Sequence, residues 1–133
     1  MSRYAFALLP FLALACGADT YDSAGTNRAV GTDAEISVSD DGAGNHQLGL
    51  EVRHLLPPGR MAEGAQFYVV WSVPEGGTPQ HIGSLDYDAE DRLGTLETLT
   101  PYKVFEVLVT AERERLPRSP SEHVALRQAV EHD

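Results

Sequence analysis

The sequence has a single cysteine, half as many bases as acids, and no apolar run long enough to cross a bilayer. Each scarcity removes a class of protein. One cysteine forms no internal disulfide and no cysteine-based zinc site, so any core must hold by packing alone. Twenty Asp and Glu against ten Lys and Arg give a formal charge of −10, a field that repels phosphate backbones and so argues against nucleic acid as a partner. A length of 133 residues is that of one domain and leaves no room for a multidomain enzyme. The motifs of catalysis are missing too. There is no G-x-S-x-G elbow and no glycine-rich loop before a helix. His46, His54, His81, His123 and His132 show neither the i,i+4 spacing nor the HExxH spacing that puts two imidazoles on one metal. The composition reads as a non-enzymatic protein with no cofactor.

What is present begins at the N-terminus. Residues 1–16, MSRYAFALLPFLALAC, place Arg3 ahead of an uncharged apolar stretch from Tyr4 to Ala15, interrupted by Pro10. A spanning helix needs about 20 apolar residues, so this shorter run has the anatomy of a signal peptide. Small residues then precede a cysteine, in the order Leu12-Ala13-Leu14-Ala15-Cys16. This resembles the lipobox of bacterial lipoproteins, with Ala13 where that family more often has Leu. The resemblance implies cleavage after Ala15 and a diacylglycerol and an amide-linked acyl chain, such as palmitate, on Cys16. Gly17 in place of Asp implies delivery to the outer membrane of the bacterial cell envelope. Two or three acyl chains hold where one does not, at about 0.8 kcal/mol per buried CH₂. Loss of residues 1–15 removes Arg3 and no acid, so the charge of −10 becomes −11.

The segment from Cys16 to Asp33 is rich in Gly, Ala, Ser, Thr and Asp and shows no apolar period. It reads as a flexible tether spanning roughly 20–25 Å. From residue 34 to 133 the period is two. Ala34 to Ser39 alternates, Asp40 to Asn45 is a turn cluster, and Leu48, Leu50 and Val52 alternate with polar residues. Gln66 to Val73 is apolar on both faces, as a covered central strand would be. Further runs lie at His81 to Leu85, Leu93 to Leu96, Val104 to Thr110 and His123 to Val130. The last has a short helix as its rival, with Ser121 as cap. About seven strands with Gly, Pro and Asp punctuation predict an all-β fold, a single immunoglobulin-like β-sandwich. Phe67, Val69, Trp71, Val73, Phe105, Val107 and Val109 are expected at its centre, and His54 at the core's edge.

Read in order, Tyr68-Val69-Val70-Trp71, Gly76-Gly77, Pro79, Ile82-Gly83-Ser84-Leu85, Phe105 to Glu112 and Pro120-Ser121 resemble the extracytoplasmic domain of anti-sigma-K-type factors over about residues 66–126. The resemblance implies a small exported β-sandwich. That family's cytoplasmic sigma-binding domain and membrane-spanning helix have no counterpart in this sequence, so sigma-factor binding is not implied.

One polar segment has a ligand-like spacing. Counted from Asp86, Asp88 and Glu90 fall at positions 3 and 5 and Glu97 at position 12, much of the EF-hand pattern for calcium, with Asp91 where that loop wants Gly. The alternative is a solvated turn between strands. Glu112 to Arg118 reads as a solvated loop or as a contact patch for an envelope partner. The sequence therefore predicts a lipid-anchored envelope protein whose sandwich is a binding or scaffolding module, with an exported calcium-binding protein as the alternative.

Overall fold

The structure is a computed structural model that describes residues 18–132. The expected signal segment 1–15 and the lipid-bearing Cys16 lie outside the described residues. The described residues are all-β, in nine strands. These are β1 (Ala18–Ala24), β2 (Asp33–Asp40), β3 (His46–Arg53), β4 (Phe67–Pro74), β5 (Gln80–Ser84), β6 (Asp86–Asp88), β7 (Leu93–Thr100), β8 (Val104–Glu112) and β9 (Val124–Glu131). One helical turn, α1 (Pro58–Met61), starts at the Pro57-Pro58 break between β3 and β4. Two antiparallel sheets result, ordered β1-β2-β3-β7-β6 and β5-β4-β8-β9.

Their facing sides share one apolar core. Ile36, Val38, Leu48, Leu50 and Val52 come from the larger sheet, and Tyr68, Val70, Phe105, Val107, Val109, Leu126 and Val130 from the smaller. The period-two pattern carries this directly: in β2, Ala34, Ile36 and Val38 are buried while Glu35 and Ser37 are exposed. The β2–β3 turn is held by its own residues. Asp41 Oδ1 accepts hydrogen bonds from the Ala43 and Asn45 amides, at 2.7 and 3.1 Å, and Gly42 and Gly44 supply the positive φ values the turn needs, 82° and 93°.

All seven expected runs form strands, and two strands are additional. The first is β1, inside the stretch read as a tether. It pairs with β2 in continuous register from Ala18↔Ser39 to Ala24↔Asp33. As an edge strand it needs only one neighbour and little apolar surface. Its Tyr21 hydroxyl donates to the Glu131 carbonyl at 2.6 Å and accepts from the Glu131 amide at 3.0 Å, joining the edge of one sheet to β9 of the other. The second is β6, within the acidic segment. The C-terminal run is β9 rather than a helix, and a register shift opposite Val109 and Thr110 explains why its period is blurred, since Ala125 and Leu126 are both buried.

Four of the seven residues expected at the centre lie elsewhere. Phe67, Val69, Trp71 and Val73 point away from the shared core and form, with Leu108 and Val124, a second cluster on the outer face of the smaller sheet. Trp71 is nevertheless only 1% exposed, with the His81 side chain from neighbouring β5 packed against it and the β8–β9 loop tied to the same face. Its Nε1–H donates to Thr110 Oγ1 at 2.9 Å, and the Thr110 hydroxyl donates to Glu112 Oε2 at 2.6 Å. The same carboxylate oxygen accepts the Ser121 amide at 2.8 Å. His81 packs edge-on to Trp71 at 5.7 Å and donates from Nε2 to the Arg115 carbonyl at 3.1 Å, while the Arg115 guanidinium lies 5.1 Å above the Phe67 ring. Glu112, at 8% exposure, is thus the buried anchor of the loop and not part of its solvated surface. His54 also departs from expectation. Its φ of 58° turns the chain outward, leaving it exposed and placing Leu55 in the core.

Ser72 faces inward between Val70 and the sheet end, and its Oγ is buried with no hydrogen-bond partner among the described residues. An unpaired buried hydroxyl costs about 1–3 kcal/mol. Ser72→Ala is therefore expected to stabilise the protein by about 1 kcal/mol, read as a higher urea midpoint at unchanged slope; a lower midpoint would show that the hydroxyl is satisfied.

Candidate functional site

Four core-facing stripes end on polar residues at one end of the sandwich. In β2 the face that carries Ala34, Ile36 and Val38 continues to Asp40, and in β3 the face of Leu48, Leu50 and Val52 begins at His46. The hairpin register sets Asp40 directly opposite His46. β1 contributes Asp19, opposite Val38. His132 follows β9 two residues beyond the buried Val130, its amide held by the Lys103 carbonyl at 2.8 Å. Where a hydrophobic residue would extend the core, all four strands present an acid or an imidazole.

These side chains meet. Asp40 Oδ1 lies 3.0 Å from His46 Nδ1 and 3.2 Å from His132 Nε2. His132 Nδ1 lies 2.6 Å from Asp19 Oδ2, which fixes the ring by both nitrogens. The two imidazoles sit edge to face, 5.1 Å between centroids. Each histidine is 5% exposed, whereas the Asp40 side chain is 59% exposed, so the cluster is closed toward the core and open toward solvent. The hydrogen bond to Asp19 raises the His132 imidazole above its ordinary value, against the lowering that burial imposes, with the bond to Asp40 adding to the rise. The hydrogen bond from His132 holds Asp40 below the ordinary carboxylate value, ahead of the opposing effect of desolvation and the smaller contribution of His46. The arrangement can carry a proton shared between imidazole and carboxylate, or a cation in its place.

The residues singled out in the sequence lie apart from this cluster. Asp86 and Asp88 are in β6, Glu90 is in the following turn, and Glu97 is in β7. Asp88 Oδ1 accepts the Glu90 and Asp91 amides at 3.0 and 3.3 Å, so the segment is a β-hairpin and not a loop between helices. Asp86 and Glu97 line a groove of about 540 Å³ on the outer face of the larger sheet, shared with Glu35 and Glu51. The ladder places Asp22, Glu35, Glu51, Thr95 and Asp86 in one row across all five strands. Like charges directly opposite one another destabilise a sheet. In the neighbouring row Arg53 holds Asp33 and Glu51, both at 2.9 Å, while Asp22, Glu35 and Asp86 make no ion pair among the described residues.

The Asp40–His46 half of the cluster had a sequence signal: a turn cluster between two alternating strands, flanked by an acid and a histidine on the apolar phase. Asp19 and His132 had none, because their approach depends on an edge strand and on the packing of one sheet over the other. Compared with protein-family models, with curated proteins and with solved structures, the chain matches none.

Proposed function

We propose that the chain is a lipid-anchored protein of the bacterial envelope whose sandwich is a non-enzymatic binding module, presenting the acidic face of its larger sheet to a basic partner. The observation that carries this reading is the charge row on that face, above all Glu35 directly opposite Glu51 on two inner strands. A face kept unfavourable for folding is one whose charge serves contact with something else. The anchor rests on the lipobox-like sequence at Cys16, and the immunoglobulin-like character and the likeness to anti-sigma-K extracytoplasmic domains belong to the same proposal. Because β1 starts at Ala18, Gly17 alone separates Cys16 from the sheet, a reach of about 7 Å. A domain acylated there lies against the headgroup layer of the outer membrane.

Globomycin is expected to block processing, and mass spectrometry to find an acylated Cys16; an unmodified N-terminal cysteine overturns the anchor. In-cell crosslinking from position 37, exposed on the same face and lining the same groove as Glu35, is expected to capture a protein through a Lys- or Arg-rich segment. Glu35→Gln combined with Asp86→Asn is expected to abolish that capture while raising stability by about 0.2–1 kcal/mol; capture indifferent to both substitutions overturns the reading. The groove that holds Asp86 and Glu97 also favours calcium as a second reading. A rise in melting temperature at millimolar calcium, lost in Glu97→Gln, would support it.

A further inference from the structure

We propose that the polar end of the core binds a divalent transition-metal ion of the zinc class, through His46 Nδ1, His132 Nε2 and a carboxylate oxygen of Asp40, with Asp19 positioning His132. This site lies at the end of the core, on different residues from the acidic outer face, and stands or falls independently of it.

Convergence is the first ground. The three donor atoms all lie within 4.8 Å of one another, and two of the three separations are 3.0 and 3.2 Å. Around a tetrahedral ion with bonds of about 2.0–2.1 Å, ligand atoms stand roughly 3.3–3.5 Å apart. Small outward shifts of the exposed Asp40 carboxylate make that room. Preorganisation is the second. Both imidazoles are buried, with rings already fixed against each other, so little rotamer freedom remains to be lost on binding.

The third ground is the role of Asp19. Its 2.6 Å contact with His132 Nδ1 leaves Nε2 facing Asp40, the carboxylate–histidine arrangement that orients imidazole ligands at metal centres. When the ion enters, the proton on His132 Nε2 leaves to solvent and His46 shifts its proton from Nδ1 to Nε2, which frees both ligating nitrogens, while His132 Nδ1–H stays hydrogen-bonded to Asp19. Donor chemistry then selects the ion. Two imidazole nitrogens with one carboxylate suit zinc, copper or nickel, whereas calcium and magnesium require more oxygens than this cluster offers. Three protein ligands and a solvent-facing side leave a fourth position open, as in exchangeable sites and unlike closed structural ones. A proton-linked tie alone is a poor account of the cluster, since apolar residues at these core-facing positions would close the sandwich as well or better.

The test uses the purified chain in detergent, stripped with chelator and titrated with Zn²⁺ alone, followed by calorimetry and thermal melting. One equivalent is expected to bind and to raise the melting temperature by several degrees, with millimolar Ca²⁺ and Mg²⁺ failing to displace the Zn²⁺. His46→Gln and Asp40→Asn are expected to lose this site. Asp19→Asn is expected to lower Zn²⁺ affinity about 10–100-fold at unchanged stoichiometry. Circular dichroism identical to the parent separates lost ligands from lost fold, and bound Co²⁺ gives a d–d spectrum that must change in the His46→Gln variant. No stoichiometric Zn²⁺ binding by the parent, or undiminished binding by both His46→Gln and Asp40→Asn, overturns the proposal.

Discussion

Trp71→Ala is expected to destabilise the protein by about 3–5 kcal/mol and to lower its melting temperature by roughly 10–20 °C. The loss is large because the indole is 1% exposed and is at once the largest body in the outer cluster and the first donor of the chain that runs through Thr110 to Glu112 and the Ser121 amide. Truncation empties the space beneath the β8–β9 loop and removes the hydrogen bond that positions Thr110. Trp71→Phe, which keeps most of the volume and loses only the N–H, is expected to cost markedly less, in the range of about 0.5–1.5 kcal/mol for the bond plus a packing adjustment. A second readout locates the damage. Arg113, Arg115 and Arg118 lie on the exposed loop, and trypsin is expected to cut there faster in Trp71→Ala than in the parent under native conditions. A cost below about 1 kcal/mol together with unchanged proteolysis would show that the loop does not rest on the indole.

Leu48→Ala is expected to cost about 2–5 kcal/mol, by a different route. Leu48 is fully buried on β3, the middle strand of the larger sheet, and faces the shared core. Its truncation opens a cavity between the sheets and touches neither the outer cluster nor the loop. Urea unfolding is expected to show the loss, while native-state cleavage at Arg113, Arg115 and Arg118 rises only as far as global unfolding allows. If Leu48→Ala exposes the loop as selectively as Trp71→Ala does, the two clusters are one cooperative unit and not two. Against a total stability of about 5–15 kcal/mol for a domain, either substitution removes a large share.

These two predictions would have been one from the sequence alone. The run Phe67 to Val73 is apolar at every position but Tyr68 and Ser72, and a strand buried on both faces carries no phase to say which side meets the main core. The structure divides it: Tyr68 and Val70 face the opposing sheet, while Val69 and Trp71 face outward, where the His81 side chain and the β8–β9 loop lie. By contrast, Ile36, Val38, Leu48, Leu50 and Val52 were legible at once, because each is flanked by polar residues and only one face of the strand is apolar. β1 was illegible for the opposite reason. Its sequence, ADTYDSA, has little apolar surface, and its strand form comes from pairing with β2 and from Tyr21 reaching Glu131.

The sequence by itself determined the class of fold, seven of the eight strands from Asp33 onward and the excess of negative charge, since each follows from composition or from a local period of two. The tertiary structure alone decided which residues share chemistry. Asp19 and His132 are separated by nearly the whole described chain and meet because an edge strand of one sheet lies against the last strand of the other. Alternation fixes which face a side chain takes, but it is sheet-on-sheet packing that fixes which faces meet. An acid or a histidine lies at or beside one end of β1, β2, β3 and β9, and only that packing gathers Asp19, Asp40, His46 and His132 into one cluster.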